Sequence, residues 1–253
     1  GYKVASLFAG AGGSCLGYRM AGFDVAWASE FEPNAAESYK LNHPDSILDI
    51  RDIRQVTPKE ILAAVGMEAG DLDLLDGSPP CVSFSTAGKR EKHWGKVVSH
   101  GDGTRQRSDD LFFEYARLLR GLRPKVFVAE NVSGLVKGTA KGYFKLILAE
   151  LRSCGYLVEA RLLDAQWLGV PQMRQRIIFI GVRADLAEKF TVGPEFPAPL
   201  PRRYSVMDAI GDLLGASEKP EKPSSTIIAH QRAETGFNPP PKVIKFIEDT
   251  GGQ

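Results

Sequence analysis

Short β-branched or apolar runs alternate with helical patterns from Val4 to Arg183, and this alternation constrains the fold more than any other feature of the sequence. Strands that alternate with helical segments are typical of a sheet whose crossover helices cover both faces. Helices are predicted to begin near Gly13, Pro33, Pro58, Asp109 and Gly142. Seven strands are predicted, at Val4–Ala9, Val25–Glu30, Ile47–Ile50, Leu72–Gly77, Val126–Val132, Val158–Asp164 and Ile177–Val182. The sequence therefore predicts an α/β fold with a Rossmann-like, doubly wound sheet.

Composition is that of an ordinary globular protein. Of the 253 residues, 43% are hydrophobic and 25% are charged, which is enough apolar material to bury a full core. No window approaches the ~20 apolar residues of a membrane helix, so we expect a soluble, cytoplasmic protein with no membrane partner. No CxxC pair occurs, so the sequence predicts neither a disulfide framework nor a metal site from its three cysteines, Cys15, Cys81 and Cys154.

Net charge alone does not indicate a nucleic-acid partner, because the chain carries a formal charge of only +1. Basic residues are instead concentrated in one stretch, from Ser83 to Arg107. This stretch contains two acidic residues, Glu91 and Asp102, and six basic residues, Lys89, Arg90, Lys92, Lys96, Arg105 and Arg107. Taken alone, this stretch fits a solvated surface loop as well as a contact with a polyanion.

The first predicted strand is followed by a glycine-rich turn, Phe8-Ala9-Gly10-Ala11-Gly12-Gly13, which opens the first helix. Glycines let a ligand approach the backbone, and the first amides of a helix are free to bind it. The second strand ends at Glu30, where an acidic residue commonly accepts hydrogen bonds from ribose hydroxyls. A tight turn and a polar strand end explain these residues equally well when each is taken alone.

Two further candidates for the same crevice lie at neighbouring strand ends. Phe31 is suited to stack on an adenine ring, although an aromatic residue at a strand end is also ordinary core packing. Asp52, with Ile53 after the third strand, is suited to the edge of an adenine, and a helix cap is the alternative. Because the carboxyl ends of successive strands converge in an open α/β sheet, their order favours a cofactor that contains adenosine.

Gly77-Ser78-Pro79-Pro80-Cys81 follows the fourth strand and holds a thiol on a rigid segment at the carboxyl edge of the sheet. A cysteine becomes nucleophilic where cationic or amide-rich surroundings favour its thiolate, and the basic stretch begins nearby at Lys89. An inert, buried cysteine after a turn is the alternative. The segment therefore predicts a nucleophile only in combination with other residues.

Two more segments complete the candidate chemistry. Glu130 closes the apolar fifth strand, where partial burial would raise its pKa and suit it to donate a proton; a structural salt bridge is the alternative. Residues Gln172, Arg174 and Arg176 alternate before the last strand, so they point to one side if the segment is extended. Two guanidiniums on one side suit a phosphate or a base carbonyl, and a pair of surface arginines would look the same.

In this order, these residues resemble the bacterial cytosine-5 DNA methyltransferase family, and the resemblance covers Val4 to about Arg183. It implies methyl transfer from S-adenosylmethionine to carbon 5 of a cytosine everted from double-stranded DNA, through a covalent adduct on Cys81. It also implies that Glu130 is the general acid, that Arg174 and Arg176 hold the base, and that no metal is needed. The DNA-binding residues that it implies in the basic loop are Ser85, Lys89 and Arg90. The cofactor-binding residues that it implies are Phe8, Ala9, Gly10, Gly12, Gly13, Glu30, Phe31, Asp52, Ile53, Gly77, Pro79 and Leu111.

The chain departs from the family pattern in three places. Ser6 stands where the family usually has an acidic residue, two positions before the Phe of the glycine-rich turn. The loop from Lys89 to Arg107 is longer than in the shortest family members. No match to the family's late Gly-Asn-Ser-Val motif is found, so we expect a second subunit or a C-terminal segment to carry that motif and the target-recognition region.

Residues 1–193 are predicted to form the cofactor-binding catalytic domain. Residues 194–253 contain nine of the sixteen prolines and are predicted to lead into, or begin, the recognition region. Helices are predicted there at Ser205–Leu214 and Lys242–Asp249, around a spacer at Glu218–Ser225.

Two other functions are compatible with the sequence. Some relatives with this catalytic order methylate transfer RNA, but the Phe84-Ser85-Thr86-Ala87-Gly88 continuation is more similar to the DNA enzymes. A non-catalytic binding subunit would explain the missing late motif, but the intact Cys81, Glu130 and Arg174 argue against a loss of chemistry.

Overall fold

The computed structural model describes residues 1–80, 98–99, 105–106, 111–136 and 140–215 of the chain. The helices are α1 (Gly13–Met20), α2 (Pro33–Asn42), α3 (Pro58–Val65), α4 (Leu111–Leu122), α5 (Lys141–Ser153), α6 (Ala184–Phe190) and α7 (Val206–Ile210). The strands are β1 (Lys3–Leu7), β2 (Asp24–Ser29), β3 (Ile47–Asp49), β4 (Leu74–Gly77), β5 (Val98–Ser99), β6 (Arg105–Gln106), β7 (Val126–Val132), β8 (Tyr156–Asp164) and β9 (Gln175–Arg183).

Seven strands form one sheet in the order β3-β2-β1-β4-β7-β9-β8, which confirms the predicted α/β fold. Neighbours among β3, β2, β1, β4 and β7 pair in parallel, whereas β9 runs antiparallel to both β7 and β8. The short strands β5 and β6 pair antiparallel in a separate sheet. The chain moves outwards from β1 to β3 and then returns to place β4 on the other side of β1. This reversal puts a topological switch point between the carboxyl ends of β1 and β4, where open α/β sheets bind ligands.

The larger part of the core packs α3, α4 and α5 against one face of the sheet, and a second cluster packs α1 and α2 against the other. Tyr115 of α4 is fully buried, and its hydroxyl lies 3.2 Å from the carbonyl oxygens of both Leu75 and Val128, which share its one proton. A Cβ added at Gly77 would lie 2.7 Å from the Tyr115 ring, so the end of β4 requires glycine.

Helix starts follow the sequence closely. α2 and α3 begin at Pro33 and Pro58, as predicted, and Thr57 and Glu60 form a capping box on α3. No helix in the described part of the chain is long and apolar enough to cross a membrane.

The C-terminal elements differ in part from the prediction. α6 follows β9 directly and was not predicted, because in its seven residues only Ala187 is buried, which leaves little helical periodicity to detect. The helix predicted at Ser205–Leu214 is α7, followed by a 3₁₀ turn over Gly211–Gly215. The predicted spacer and the predicted helix at Lys242–Asp249 lie outside the described residues.

The chain divides into two compact units. The first contains Gly1–Asp164 and Arg174–Ala198, and the second contains Ala165–Met173 and the residues from Pro199 onwards. The whole seven-stranded sheet belongs to the first unit.

Candidate functional site

The glycine-rich turn leaves β1 at the carboxyl edge of the sheet. Phe8, Gly10 and Gly12 have φ angles of 56°, 57° and 90°, a left-handed conformation that glycine adopts readily. A Cβ added at Gly10 or Gly13 would meet no described atom within 4 Å. The backbone of the turn is therefore open to a ligand at these two positions.

His43 supports the turn from beneath, at the end of α2. Its ring is buried, and Nε2 lies 2.9 Å from the carbonyl oxygen of Gly12, so the tautomer with the proton on Nε2 donates this hydrogen bond. Within the described structure, Nδ1 is buried without a hydrogen-bond partner. Burial lowers the pKa of His43 below its usual value, which keeps the ring neutral. A Cβ at Gly12 would lie 2.2 Å from this ring, so only glycine fits here.

Glu30 follows β2 and ties the turn to the start of α2. One carboxylate oxygen accepts the Gly10 N–H and the other accepts the Glu32 N–H, both at 2.7 Å. Each oxygen keeps a further lone pair for a ribose hydroxyl. The neighbouring Phe31 is 41% exposed, which leaves its ring available to an adenine. The open glycines, the fixed carboxylate and the exposed ring fit the adenosyl part of S-adenosylmethionine.

Asp52 caps the 3₁₀ helix Ile53–Gln55. Its carboxylate accepts the Arg54 N–H at 3.0 Å and pairs with the Arg54 guanidinium at 3.0 Å. Asp52 is therefore a helix cap, which was the alternative interpretation of this residue in the sequence. Ile53 and Leu111 are buried in the core. The contacts predicted between these three residues and the cofactor stay predictions.

The segment that leads to Cys81 lies between the glycine-rich turn and β7. The Ser78 hydroxyl donates to the Phe8 carbonyl at 3.2 Å. The Asn131 side-chain amide donates to the Pro79 carbonyl at 3.2 Å, on the opposite side of the segment. These bonds hold the last described residues before Cys81 beside the end of β7. The predicted nucleophile Cys81 and the predicted loop contacts Ser85, Lys89 and Arg90 lie outside the described residues.

Glu130 lies near the carboxyl end of β7, opposite the start of β9. Its Oε1 is 2.6 Å from Nε of Arg176. Burial raises the pKa of Glu130, and this effect outweighs the opposing attraction of Arg176 and Arg174. A carboxyl group in this state keeps a proton to higher pH than usual and can donate it. Gln172 lies in a bend before β9 begins at Gln175, so the predicted extended alternation does not reach it.

Asp76 of β4 is a charged residue under the site that the sequence analysis missed. It is only 7% exposed, and burial raises its pKa. Its carboxylate accepts hydrogen bonds from the hydroxyls of Ser6, Ser14 and Tyr18 at 2.8, 2.8 and 3.0 Å. Two features of the sequence could have indicated this residue. One is an aspartate at the end of an apolar strand, and the other is Ser6, which stands where the family usually has an acid.

Comparisons with known proteins show which family the chain resembles. The family model described as C-5 cytosine-specific DNA methylase matches residues 2–239. The chain is 36% identical to the type II methyltransferase M.XorII of Xanthomonas oryzae pv. oryzae over 217 residues, which cover 85% of this chain and 47% of that protein. It is 35% identical to M.AquIA of Picosynechococcus sp. over 228 residues, which cover 87% of this chain and 85% of that protein.

Solved structures show the same architecture. An E. coli prophage protein assigned as a DNA modification methyltransferase aligns with a TM-score of 0.62 at 27% identity, over 83% of this chain and 54% of that chain. The chain spans about half the length of the first curated relatives, with 47% of M.XorII and 57% of M.NgoPII of Neisseria gonorrhoeae covered.

Proposed function

Because this chain belongs to the C-5 cytosine-specific DNA methylase family, we propose that it forms the catalytic part of an enzyme that methylates carbon 5 of cytosine in double-stranded DNA. The methyl donor is S-adenosylmethionine, which supplies an electrophilic methyl group on a sulfonium when it is bound. One observation carries the proposal: the glycine-rich turn and the Glu130 carboxyl lie at the same edge of the sheet, on either side of the segment that leads to Cys81.

The proposed roles at the cofactor end follow from the geometry of the turn. Glu30 holds ribose hydroxyls while it fixes the Gly10 backbone, and Phe31 stacks on the adenine. Gly10 and Gly13 admit the ligand to the backbone. His43 keeps the turn in its left-handed conformation by filling the space beneath Gly12.

The proposed chemistry begins with the pyrimidine ring, because carbon 5 of cytosine is too weak a nucleophile to take a methyl group unaided. The Cys81 thiolate attacks carbon 6, while Glu130 donates its proton to ring nitrogen 3 and so neutralises the charge that develops there. Arg174 and Arg176 hold the base by its carbonyl oxygen and nearby phosphate. After methyl transfer, a water molecule or a basic group removes the carbon 5 proton, Cys81 leaves carbon 6 as the thiolate, and the proton on ring nitrogen 3 returns to Glu130, which restores the aromatic ring.

Neither carbon is accessible within a stacked duplex, so the cytosine must be everted into this site. We propose that the basic loop, with Ser85, Lys89 and Arg90, contacts the DNA around the everted base. We also propose that the target-recognition region is supplied by further sequence of the same protein or by a second subunit. The proposed place of action is the bacterial cytoplasm.

The decisive experiment offers the complete protein a duplex that contains 5-fluorocytosine, together with S-adenosylmethionine. Fluorine at carbon 5 blocks the final elimination, so we expect a covalent complex that survives denaturing electrophoresis and maps to Cys81. Cys81→Ala is the matched control and should form none. A cofactor-bound wild-type protein without an adduct would contradict the proposal, as would methylation of transfer RNA in preference to duplex DNA.

A further inference from the structure

Ser6 and Asp76 are paired residues of two neighbouring parallel strands, β1 and β4. Their side chains point to the same face of the sheet, and the Ser6 hydroxyl donates to the Asp76 carboxylate at 2.8 Å. Both residues are buried, with exposed fractions of 0% and 7%. The two positions therefore share one polar site directly beneath the glycine-rich turn.

From this site, the Asp76 carboxylate also reaches two successive turns of α1. Ser14 donates to it from the first turn of the helix, and Tyr18 donates from the next. These residues are four positions apart, so they lie on one face of the helix. Because Ser6 precedes the glycine-rich turn and Ser14 follows it, one carboxylate on β4 fixes both ends of that turn.

In the described part of the chain, no Lys, Arg or His forms an ion pair with Asp76. Its carboxyl oxygens are instead satisfied by the hydroxyl donors of Ser6, Ser14 and Tyr18. A second carboxylate at position 6 would lie against the first without a counter-ion, and like charges at that distance repel.

We propose that Asp76 is the positioning residue of the cofactor turn, and that it supplies from β4 the buried carboxylate that β1 lacks because position 6 is serine. This inference rests on the proposed function in one respect, namely that the turn binds S-adenosylmethionine. Asp76 acts through Ser6, Ser14 and Tyr18 and holds the backbone of residues 8–13 in the open conformation that admits the ligand.

The test moves the carboxylate between strands in the full-length protein, with the variants Asp76→Ser, Ser6→Asp and the double exchange. Affinity for S-adenosylmethionine is measured by calorimetry, and hydrogen exchange of the amides of residues 8–14 is measured without the ligand. We expect Asp76→Ser to weaken binding by about tenfold or more and to accelerate exchange. Ser6→Asp should also weaken binding, since it places two carboxylates together.

The double variant should return affinity to within about threefold of the wild type and restore slow hydrogen exchange. This recovery would show strong coupling between the two sites. Asp76→Asn keeps the side-chain volume, so its affinity should be lower than that of the wild type and higher than that of Asp76→Ser. If the serine variant does not fold, the loss of affinity in Asp76→Asn against the wild type is the test. Asp73→Asn is the matched control, because Asp73 lies three residues earlier, is half-buried, and binds Lys125 and the Lys3 N–H at the start of β1, away from the turn. It should leave affinity unchanged.

Additive losses in the double variant, or unchanged binding and exchange in Asp76→Ser and Asp76→Asn, would overturn the inference and leave the proposed function intact. A wild-type protein that does not bind S-adenosylmethionine would instead remove the proposed function. The exchange data would still decide whether Asp76 anchors the turn.

Discussion

The Glu130 carboxylate lies 2.6 Å from the Arg176 guanidinium, although the two residues belong to antiparallel strands far apart in the sequence. The pair lies at the edge of the sheet where the parallel strands end. Burial raises the pKa of Glu130 even though this neighbouring cation lowers it. The arrangement gives a carboxyl group that can keep a proton to higher pH than usual with a guanidinium beside it, as the proposed general acid requires.

Replacement of Glu130 by glutamine removes the proton donor and keeps the shape of the side chain. We expect kcat for methyl transfer to fall by about 10²–10⁴-fold, the usual contribution of general acid catalysis. Affinity for S-adenosylmethionine should stay the same, since Glu130 is outside the cofactor turn. Steady-state kinetics with labelled cofactor measure the first effect and calorimetry the second; loss of both together would indicate a structural role.

The pH profile should report the same carboxyl group. Because the acid form of Glu130 is the active one, kcat should decline as pH rises through its raised pKa. Arg176 lowers that pKa, so Arg176→Gln should move the declining limb to higher pH while it reduces the rate. A limb that stays in place, or moves to lower pH, would show that Glu130 is not the group that titrates.

Glu30→Gln tests the ribose contact at the cofactor end. An amide retains only one acceptor oxygen, so the variant cannot hold the Gly10 and Glu32 backbone amides and two ribose hydroxyls together. We expect affinity for S-adenosylmethionine to fall by about tenfold. Glu37→Gln, on the exposed side of α2, is the control and should bind normally. Equal affinities for all three proteins would argue against a ribose contact.

Gly12→Ala tests the packing of His43 under the turn. The new Cβ would lie 2.2 Å from the His43 ring, at a φ of 90° that alanine disfavours. We expect the free energy of unfolding to fall by about 1–3 kcal/mol. Gly17→Ala, in the interior of α1 with no described neighbour within 4 Å, should instead raise it by about 0.5–1 kcal/mol. Urea denaturation measures both, and a neutral Gly12→Ala would mean that the His43 ring can move aside.

The sequence by itself determined the seven strands of the large sheet, the helix starts and the residues at the strand ends, but not the short strands β5 and β6. These elements depend on local features of the sequence, which are hydrophobic periodicity, prolines at helix starts and glycines in the turn. Such features can be recognised without knowledge of which distant residues are in contact. For that reason the large sheet and the glycine-rich turn could be predicted from the sequence, whereas α6, with a single buried residue, could not.

Only the tertiary structure decided which of these residues meet. Ser6 and Asp76 are 70 positions apart, and Gly12 and His43 are 31 apart. Their contacts depend on the order and register of the strands and on the packing of α2, which follow from the burial of the whole core. In the sequence, the aspartate in β4 is only one acid in an apolar strand. It can hold the turn only because β4 pairs with β1.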